Sequence, residues 1–68
     1  MKMAEKIGNN IREGRKFKGL TQKQVAECLN MTQQQYSRFE NGIFELNYSQ
    51  LIAICALLEM TPNEIFDI

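Results

Sequence analysis

Four short segments of this 68-residue chain carry the same helix-start signal. In each, a Thr or Asn is followed three positions later by Gln or Glu, which is the pattern of a capping box: each of these two side chains accepts a hydrogen bond from the other residue's backbone N–H. The segments are Thr21–Gln24, Thr32–Gln35, Asn47–Gln50 and Thr61–Glu64, and the last has Pro62 at the first helical position. The repeated signal predicts four short helices after residue 20.

A further helix is predicted before them. Ile7 and Ile11 begin an apolar stripe in a segment from about Ala4 to Lys18. Residues that tolerate a left-handed backbone follow three of the predicted helices, namely Gly19, Asn30 and Asn41-Gly42. No segment alternates as a strand would, and no linker interrupts the chain, so we expect one all-α domain over residues 1–68, a compact bundle of five short helices.

The connection between the second and third helices is especially short. Only Asn30 and Met31 separate Leu29 from the next capping residue, Thr32. Two helices joined so tightly must cross steeply, and this arrangement is a helix-turn-helix.

Apolar residues at helical spacing define the expected core. They are Ile7, Ile11, Val25, Ala26, Leu29, Tyr36, Phe39, Leu51, Ile52, Cys55, Leu58, Ile65 and Phe66. Ala26 is small where the second helix approaches the third, so a larger side chain there should overpack the crossing.

The third predicted helix separates its polar and apolar residues. At 100° per residue, Tyr36 and Phe39 share one face, whereas the opposite face carries Gln33, Gln34, Ser37, Arg38 and Asn41. Amide side chains pair with adenine, and Arg with guanine, in a DNA groove that admits one helix. The alternative is an ordinary solvated face, but a short second helix of a helix-turn-helix with amides in its first turn favours contact with base edges. Gln35, three residues after Thr32, is assigned to the cap instead.

Charge is unevenly distributed although the net charge is zero. Two acids, Glu5 and Glu13, occur in the first 23 positions, and from residue 24 onward Arg38 stands against six acids. Seven of the eight basic residues lie in those first 23 positions: Lys2, Lys6, Arg12, Arg15, Lys16, Lys18 and Lys23. A basic end fits a nucleic-acid partner, and a solvated lysine-rich helix face is the alternative.

Composition disfavours several other classes. Cys28 and Cys55 lie far apart in a chain without His, so we expect them to be small buried hydrophobes in a reducing compartment rather than metal ligands. Paired carboxylates in a cleft and Gly-rich phosphate loops are also lacking, and we expect no catalytic residue, metal or cofactor. No run approaches the roughly twenty apolar residues of a membrane span, and the prediction is a cytoplasmic protein.

The segment IREGRKFKGLTQKQVAECLNMTQQQYSRFENG resembles the DNA-binding domains of the lambda-repressor and Cro type, the Xre-like helix-turn-helix family. The segment LIAICALLEMTPNEIF extends the resemblance to nearly the whole chain. The motifs that carry it are Ile-Arg-x-x-Arg, Gly-Leu-Thr-Gln, Val-Ala, Ser-Arg-x-Glu-Asn-Gly and the Leu-x-x-Thr-Pro finish.

The resemblance implies a role for each matching position. It implies base reading by Gln33, Gln34, Ser37 and Arg38, and phosphate binding by Thr21, Gln22, Lys23 and Asn41. It also implies a partly buried ion pair between Arg15 and Glu40, for which two independently solvated charges are the alternative.

One position and one loop depart from the family pattern. Gly14 stands where a large apolar residue is usual, which should weaken the first helix and leave a gap for Phe17 or a neighbour to fill. Ile43, Phe44 and Leu46 form an apolar loop where relatives often carry phosphate-binding residues. This loop either folds onto the core or, with the C-terminal IFDI, forms a dimer or partner surface.

The function implied is a sequence-specific double-stranded DNA-binding transcriptional regulator that represses by occupying an operator. A homodimer on an inverted-repeat operator is expected, because one such domain reads few bases. The alternative is a protein-interaction module or antitoxin-like partner that uses the same fold.

Overall fold

The computed structural model describes residues 3–67 and contains five helices in that range. Two residues used in the sequence argument, Lys2 and Ile68, lie outside it. The helices are α1 (Met3–Phe17), α2 (Gln22–Cys28), α3 (Gln33–Glu40), α4 (Tyr48–Leu58) and α5 (Pro62–Phe66). The predicted all-α fold is confirmed, and α1 begins and ends one residue earlier than expected. None of these helices is long and apolar enough to cross a membrane.

All four predicted capping boxes form. At α3 the backbone N–H of Gln35 donates to Thr32 Oγ1 at 3.1 Å, and the backbone N–H of Thr32 donates to Gln35 Oε1 at 3.2 Å. The equivalent pair forms at Thr21, Asn47 and Thr61. Each box satisfies two backbone donors at a helix start, which fixes where α2 to α5 begin.

Left-handed residues end α1, α2 and α3 as the sequence predicted. Gly19, Asn30 and Gly42 have φ values of 73°, 56° and 79°. After α2, the backbone N–H of Met31 donates to the carbonyl of Ala26 at 3.0 Å, and equivalent bonds close α1 and α3. These bonds turn the chain sharply, and only the four residues 29–32 separate α2 from α3.

A single cluster of buried apolar side chains joins the helices. Its members are Ile11, Val25, Ala26, Leu29, Tyr36, Phe39, Ile54, Leu58 and Ile65. Helix α1 packs against α3 and α5, and α2 packs against α3. Ile7, Cys55 and Phe66 from the predicted core are partly buried and pack against this cluster.

Two core predictions are wrong. Ile52 is 70% exposed, whereas Ile54, two positions later, is fully buried. The segment of α4 is apolar on most sides, so its sequence does not reveal which side faces inward. Cys28 is exposed at the end of α2 rather than buried, and Cys55 is partly buried.

The space beside Gly14 is filled by Met60, not by Phe17. A Cβ at Gly14 would meet the Met60 sulfur, whereas Phe17 is 88% exposed. The thioether therefore occupies the volume that a larger residue at position 14 would take, as flexible Met side chains often do.

Candidate nucleic-acid interface

Helix α3 buries one face and exposes the other. Tyr36, Phe39 and Glu40 are at most 3% exposed, and the ring centroids of Tyr36 and Phe39 lie 5.9 Å apart. The buried rings hold α3 against the core, which fixes the direction in which its other residues point. The exposed side carries Gln33, Gln34 and Arg38, with Ser37 half-buried beside them.

The three consecutive glutamines divide into two kinds. Gln35 is held by the capping box with Thr32, so its side-chain oxygen is already used. Gln33 and Gln34 are exposed and make no side-chain hydrogen bond within residues 3–67. Their amides, which offer both donors and acceptors, are therefore available to a ligand at the start of α3.

The start of α2 presents the other polar residues that the sequence singled out. Thr21 and Lys23 are exposed, and the Thr21 hydroxyl oxygen accepts the backbone N–H of Gln24 at 3.1 Å. Gln22 is half-buried, and its Nε2 donates to Glu40 Oε1 at 3.0 Å. The amide of Gln22 is thus oriented by a side chain at the far end of α3.

Glu40 is the centre of a charged cluster between α1, α2 and α3. Its side chain is fully buried, and Arg15 binds it through Nε to Oε2 at 2.7 Å and through Nη2 to Oε1 at 3.2 Å. Arg12 Nε lies 3.4 Å from the same Oε1. Such a two-pronged pair is the strong form of a charge-assisted hydrogen bond, and it ties α1 to the end of α3.

The cluster shifts the ionisation of its members. Burial opposes the charged form of Glu40, but hydrogen bonds led by that of Arg15 and the positive charge of Arg15 outweigh it, and the pKa of the Glu40 carboxyl is lowered. The hydrogen bond to Glu40 raises the pKa of Arg15 against the opposing effect of burial. Burial, together with the nearby carboxylate of Glu40, raises the pKa of the Tyr36 hydroxyl. Glu40 and Arg15 are therefore both charged at neutral pH.

Sequence reasoning missed the position of Arg12. Its Nη2 donates to the backbone carbonyl of Glu40 at 3.2 Å and to Asn41 Oδ1 at 2.9 Å. Arg12 and Arg15 are three residues apart and share a face of α1, so the Ile-Arg-x-x-Arg motif contains a signal for this pairing. Asn41 itself is exposed at the end of α3.

The apolar loop is only partly exposed, and α4 extends the apolar surface. Ile43 is 75% exposed and Phe44 is 36% exposed, whereas Leu46 is half-buried against the core. Tyr48 and Ile52, which sequence reasoning did not assign to this surface, are 86% and 70% exposed. Within residues 3–67, no group of His, Cys, Asp or Glu side chains is placed to hold a metal ion.

Comparisons with known proteins agree with this geometry. The family model described as Helix-turn-helix matches residues 11–65. Two uncharacterised HTH-type transcriptional regulators, from Rickettsia conorii and Rickettsia prowazekii, are each 31% identical over 61 residues, which cover 90% of this chain and 49% and 47% of theirs. The chain therefore spans about half the length of these curated relatives.

Two solved structures share the fold at 25% sequence identity. The clp gene regulator ClgR from Corynebacterium glutamicum superposes with a TM-score of 0.88, covering 96% of this chain and 69% of that one. The restriction-modification controller protein C.AhdI from Aeromonas hydrophila superposes with a TM-score of 0.81, covering 93% of this chain and 91% of that one.

Proposed function

This chain belongs to the lambda-repressor-like (Xre-type) helix-turn-helix family of DNA-binding transcriptional regulators, which are not enzymes, and we propose that it binds duplex DNA sequence-specifically and represses transcription by occupying an operator. Helix α3 lies in the major groove in this proposal, and the protein acts in the cytoplasm.

The exposed amide face at the start of α3 is the observation that carries the proposal. Gln33 and Gln34 project from a helix that Tyr36 and Phe39 lock in place, and neither amide is used within the described part of the chain. A bidentate amide contact to adenine discriminates against a wrong base by about 1–3 kcal/mol. Ser37 and Arg38 extend the same reading surface by one turn.

Phosphate contacts are proposed at both flanks of this face. Thr21, Gln22 and Lys23 at the start of α2 would hold one phosphate group, with help from the free backbone N–H groups of that helix end. Asn41 at the end of α3 would hold another. The hydrogen bond from Gln22 to Glu40 supports this assignment because it fixes the amide of Gln22 before DNA binds.

Selection of binding sites from a random duplex pool at fixed near-physiological salt tests the proposal. We expect one enriched motif for the wild type and a changed base preference for Gln33→Ala and Gln34→Ala. Asn63→Ala, which removes an exposed amide from α5, should leave the motif unchanged. If the two α3 variants lose affinity equally for matched and scrambled sites, these glutamines do not read bases.

We further propose that the protein binds as a homodimer on an inverted repeat, with half-sites about one helical turn apart. The exposed apolar side chains of Phe44, Tyr48 and Ile52 support a pairing surface on the loop and α4. Sedimentation with and without the selected site should show a dimer that Ile52→Glu disrupts. If Ile43→Glu disrupts it and Ile52→Glu does not, the pairing surface lies on the loop alone.

The exposed apolar surface also favours a second candidate, a protein-interaction module or antitoxin-like partner. The same site selection separates the two candidates, because a module that does not read DNA yields no enriched motif.

A further inference from the structure

Arg12 and Arg15 contact the same carboxylate but differ in how many of their donors are used. Arg15 uses all three guanidinium nitrogens, because its Nη1 also donates to the carbonyl of Leu20 at 2.9 Å, and its side chain is 12% exposed. Arg12 bonds through Nε and Nη2, and its Nη1 has no hydrogen-bond partner within residues 3–67. The Arg12 side chain is 32% exposed. Arg12 therefore retains unused donors on a partly exposed side chain, whereas Arg15 does not.

The charges of the cluster do not cancel. Glu40 supplies one negative charge, and Arg12 and Arg15 supply two positive charges. The short 2.7 Å contact of Arg15 already neutralises the carboxylate, whereas Arg12 Nε approaches it only to 3.4 Å. The remaining positive charge is placed on Arg12, beside the end of α3.

Asn41 is oriented by the same guanidinium. Its Oδ1 accepts from Arg12 Nη2 at 2.9 Å, so its Nδ2 points away from Arg12. An anion placed beside this pair would meet the free guanidinium N–H groups and the amide N–H₂ together. Both are donors, and planar guanidinium groups match phosphate oxygens well.

The surrounding groove limits how strongly an isolated anion can bind. It is also lined by Lys6 and Asp67, whose side chains pair at 3.1 Å, and by the carboxylate of Glu5. Glu5 opposes a free anion, so the pair needs a ligand that other contacts already hold in place. A duplex bound by α3 meets this condition, whereas free inorganic phosphate does not.

We propose that Arg12 is a further phosphate-binding residue, and that Arg12 and Asn41 together hold one phosphodiester group of the duplex bound by α3. The inference rests on the proposed function. It assigns Arg12 two roles, a bond that orients Asn41 and a charge that contacts the DNA backbone.

The salt dependence of binding to a mixed-sequence duplex tests this inference. Each neutralised phosphate contributes about −0.9 to the slope of log affinity against log salt, so Arg12→Gln should flatten the slope by about one unit. That change is a difference of about threefold to fourfold in affinity between about 50 and 200 mM salt. Lys18→Gln removes an equal charge just after the end of α1, where Lys18 pairs with Glu59, and should leave the slope unchanged.

Arg12→Lys separates the positive charge of Arg12 from its hydrogen bonds to Glu40 and Asn41. Lys keeps the positive charge but cannot bond Glu40 and Asn41 in the same planar geometry. The Arg12→Lys variant should therefore keep the wild-type salt slope, which Arg12→Gln flattens. If Arg12→Gln fails to fold, as judged by its circular dichroism, Asn41→Asp takes its place. That variant retains an acceptor for Arg12 and should weaken binding because its carboxylate repels phosphate.

Each outcome decides the inference. The inference is overturned if Arg12→Gln leaves the salt slope unchanged, or if Lys18→Gln flattens it equally. The role of Arg12 would then be only to join α1 to the end of α3 through hydrogen bonds. Chemical-shift changes at Asn41 with inorganic phosphate alone, at matched ionic strength, would show that the site binds free anions and contradict the duplex requirement. If the wild-type protein binds no duplex, the proposed function itself fails and the inference falls with it.

Discussion

Replacing the buried carboxylate of Glu40 should cost a large part of the stability of this protein. Glu40 accepts hydrogen bonds from Arg15 at 2.7 and 3.2 Å and from Gln22 at 3.0 Å, and its side chain is fully buried. Glu40→Gln keeps the volume but turns an N–H₂ group or a neutral oxygen toward two guanidinium groups. Breaking a buried pair from one side costs about 3–5 kcal/mol, and the near-isosteric change should fall near 3 kcal/mol.

That cost is large for a chain of this length. At about 0.05–0.15 kcal/mol per residue, the free energy of unfolding is on the order of 3–10 kcal/mol. Each 1 kcal/mol shifts the melting temperature by about 4–8 °C in proteins of this size, so Glu40→Gln should lower it by about 12–24 °C. Urea unfolding followed by circular dichroism at neutral pH measures the difference. The exposed pair of Lys18 and Glu59 provides the control, and Glu59→Gln should change little.

The pH dependence gives an independent check on the same carboxyl. Because the pKa of Glu40 is lowered in the folded state, its contribution is fully present above its ordinary pKa of 4.5 and is lost as the pH falls toward the folded value. The difference between the wild type and Glu40→Gln should therefore be constant near neutrality and shrink below about pH 4.5. A difference under about 1 kcal/mol at neutral pH, or one that persists unchanged in acid, would refute the reasoning.

Three further changes test the backbone and the core. Gly42→Ala should destabilise the protein more than Gly19→Ala. Both positions need a positive φ, but a Cβ at Gly42 would also lie 2.5 Å from Glu5 Cγ, whereas the space at Gly19 is open. Equal losses of unfolding free energy in paired urea titrations would contradict this. Ala26→Leu should lower the free energy of unfolding by about 1–3 kcal/mol through overpacking at the contact of α2 with α3, and a melting temperature equal to that of the wild type would show spare room there. Thr32→Ala should cost about 1 kcal/mol through loss of the cap, while Thr32→Ser keeps the hydroxyl and most of the stability in the same titration.

The helix boundaries could be predicted from the sequence because the signals that set them are local. Thr32 and Gln35 lie in one turn, and the left-handed Asn30 acts on the residues next to it. No distant contact is needed to satisfy these groups, so the sequence pattern alone locates the starts of α2 to α5 and the stops of α1 to α3.

The buried face of α4 could not be predicted in the same way. Ile52 and Ile54 have the same side chain and lie in a segment that is apolar on most sides. Which of them is buried is decided by the helices that pack around α4, and the sequence of α4 carries no information on that choice. The same limit applies to Met60, which lies between α4 and α5 and whose sulfur lies beside Gly14 of α1.

In the candidate site, too, local features could be predicted from the sequence and contacts between helices could not. The exposed face of α3 could be predicted, since Tyr36 and Phe39 mark the inward side. The bonds from Gln22 to Glu40 and from Arg12 to Asn41 join residues 18 and 29 positions apart. They depend on how α1, α2 and α3 come together, and only the resemblance to a family pointed to the Arg15 and Glu40 pair.

The residues proposed to set base preference and those that stabilise the fold therefore lie at opposite ends of α3. Its first turn carries Gln33 and Gln34, which are exposed and make no side-chain hydrogen bond within residues 3–67, while its last turn carries the buried, ion-paired Glu40. Substitutions in the first turn should change which bases are read and leave the unfolding free energy nearly constant. Substitutions at Glu40 should lower the unfolding free energy and leave base preference nearly constant. They should also weaken binding to every sequence, because Gln22 and Arg12 lose the carboxylate that positions them. Under the proposed function, base preference can diverge without loss of folding, provided that the last turn of α3 is kept.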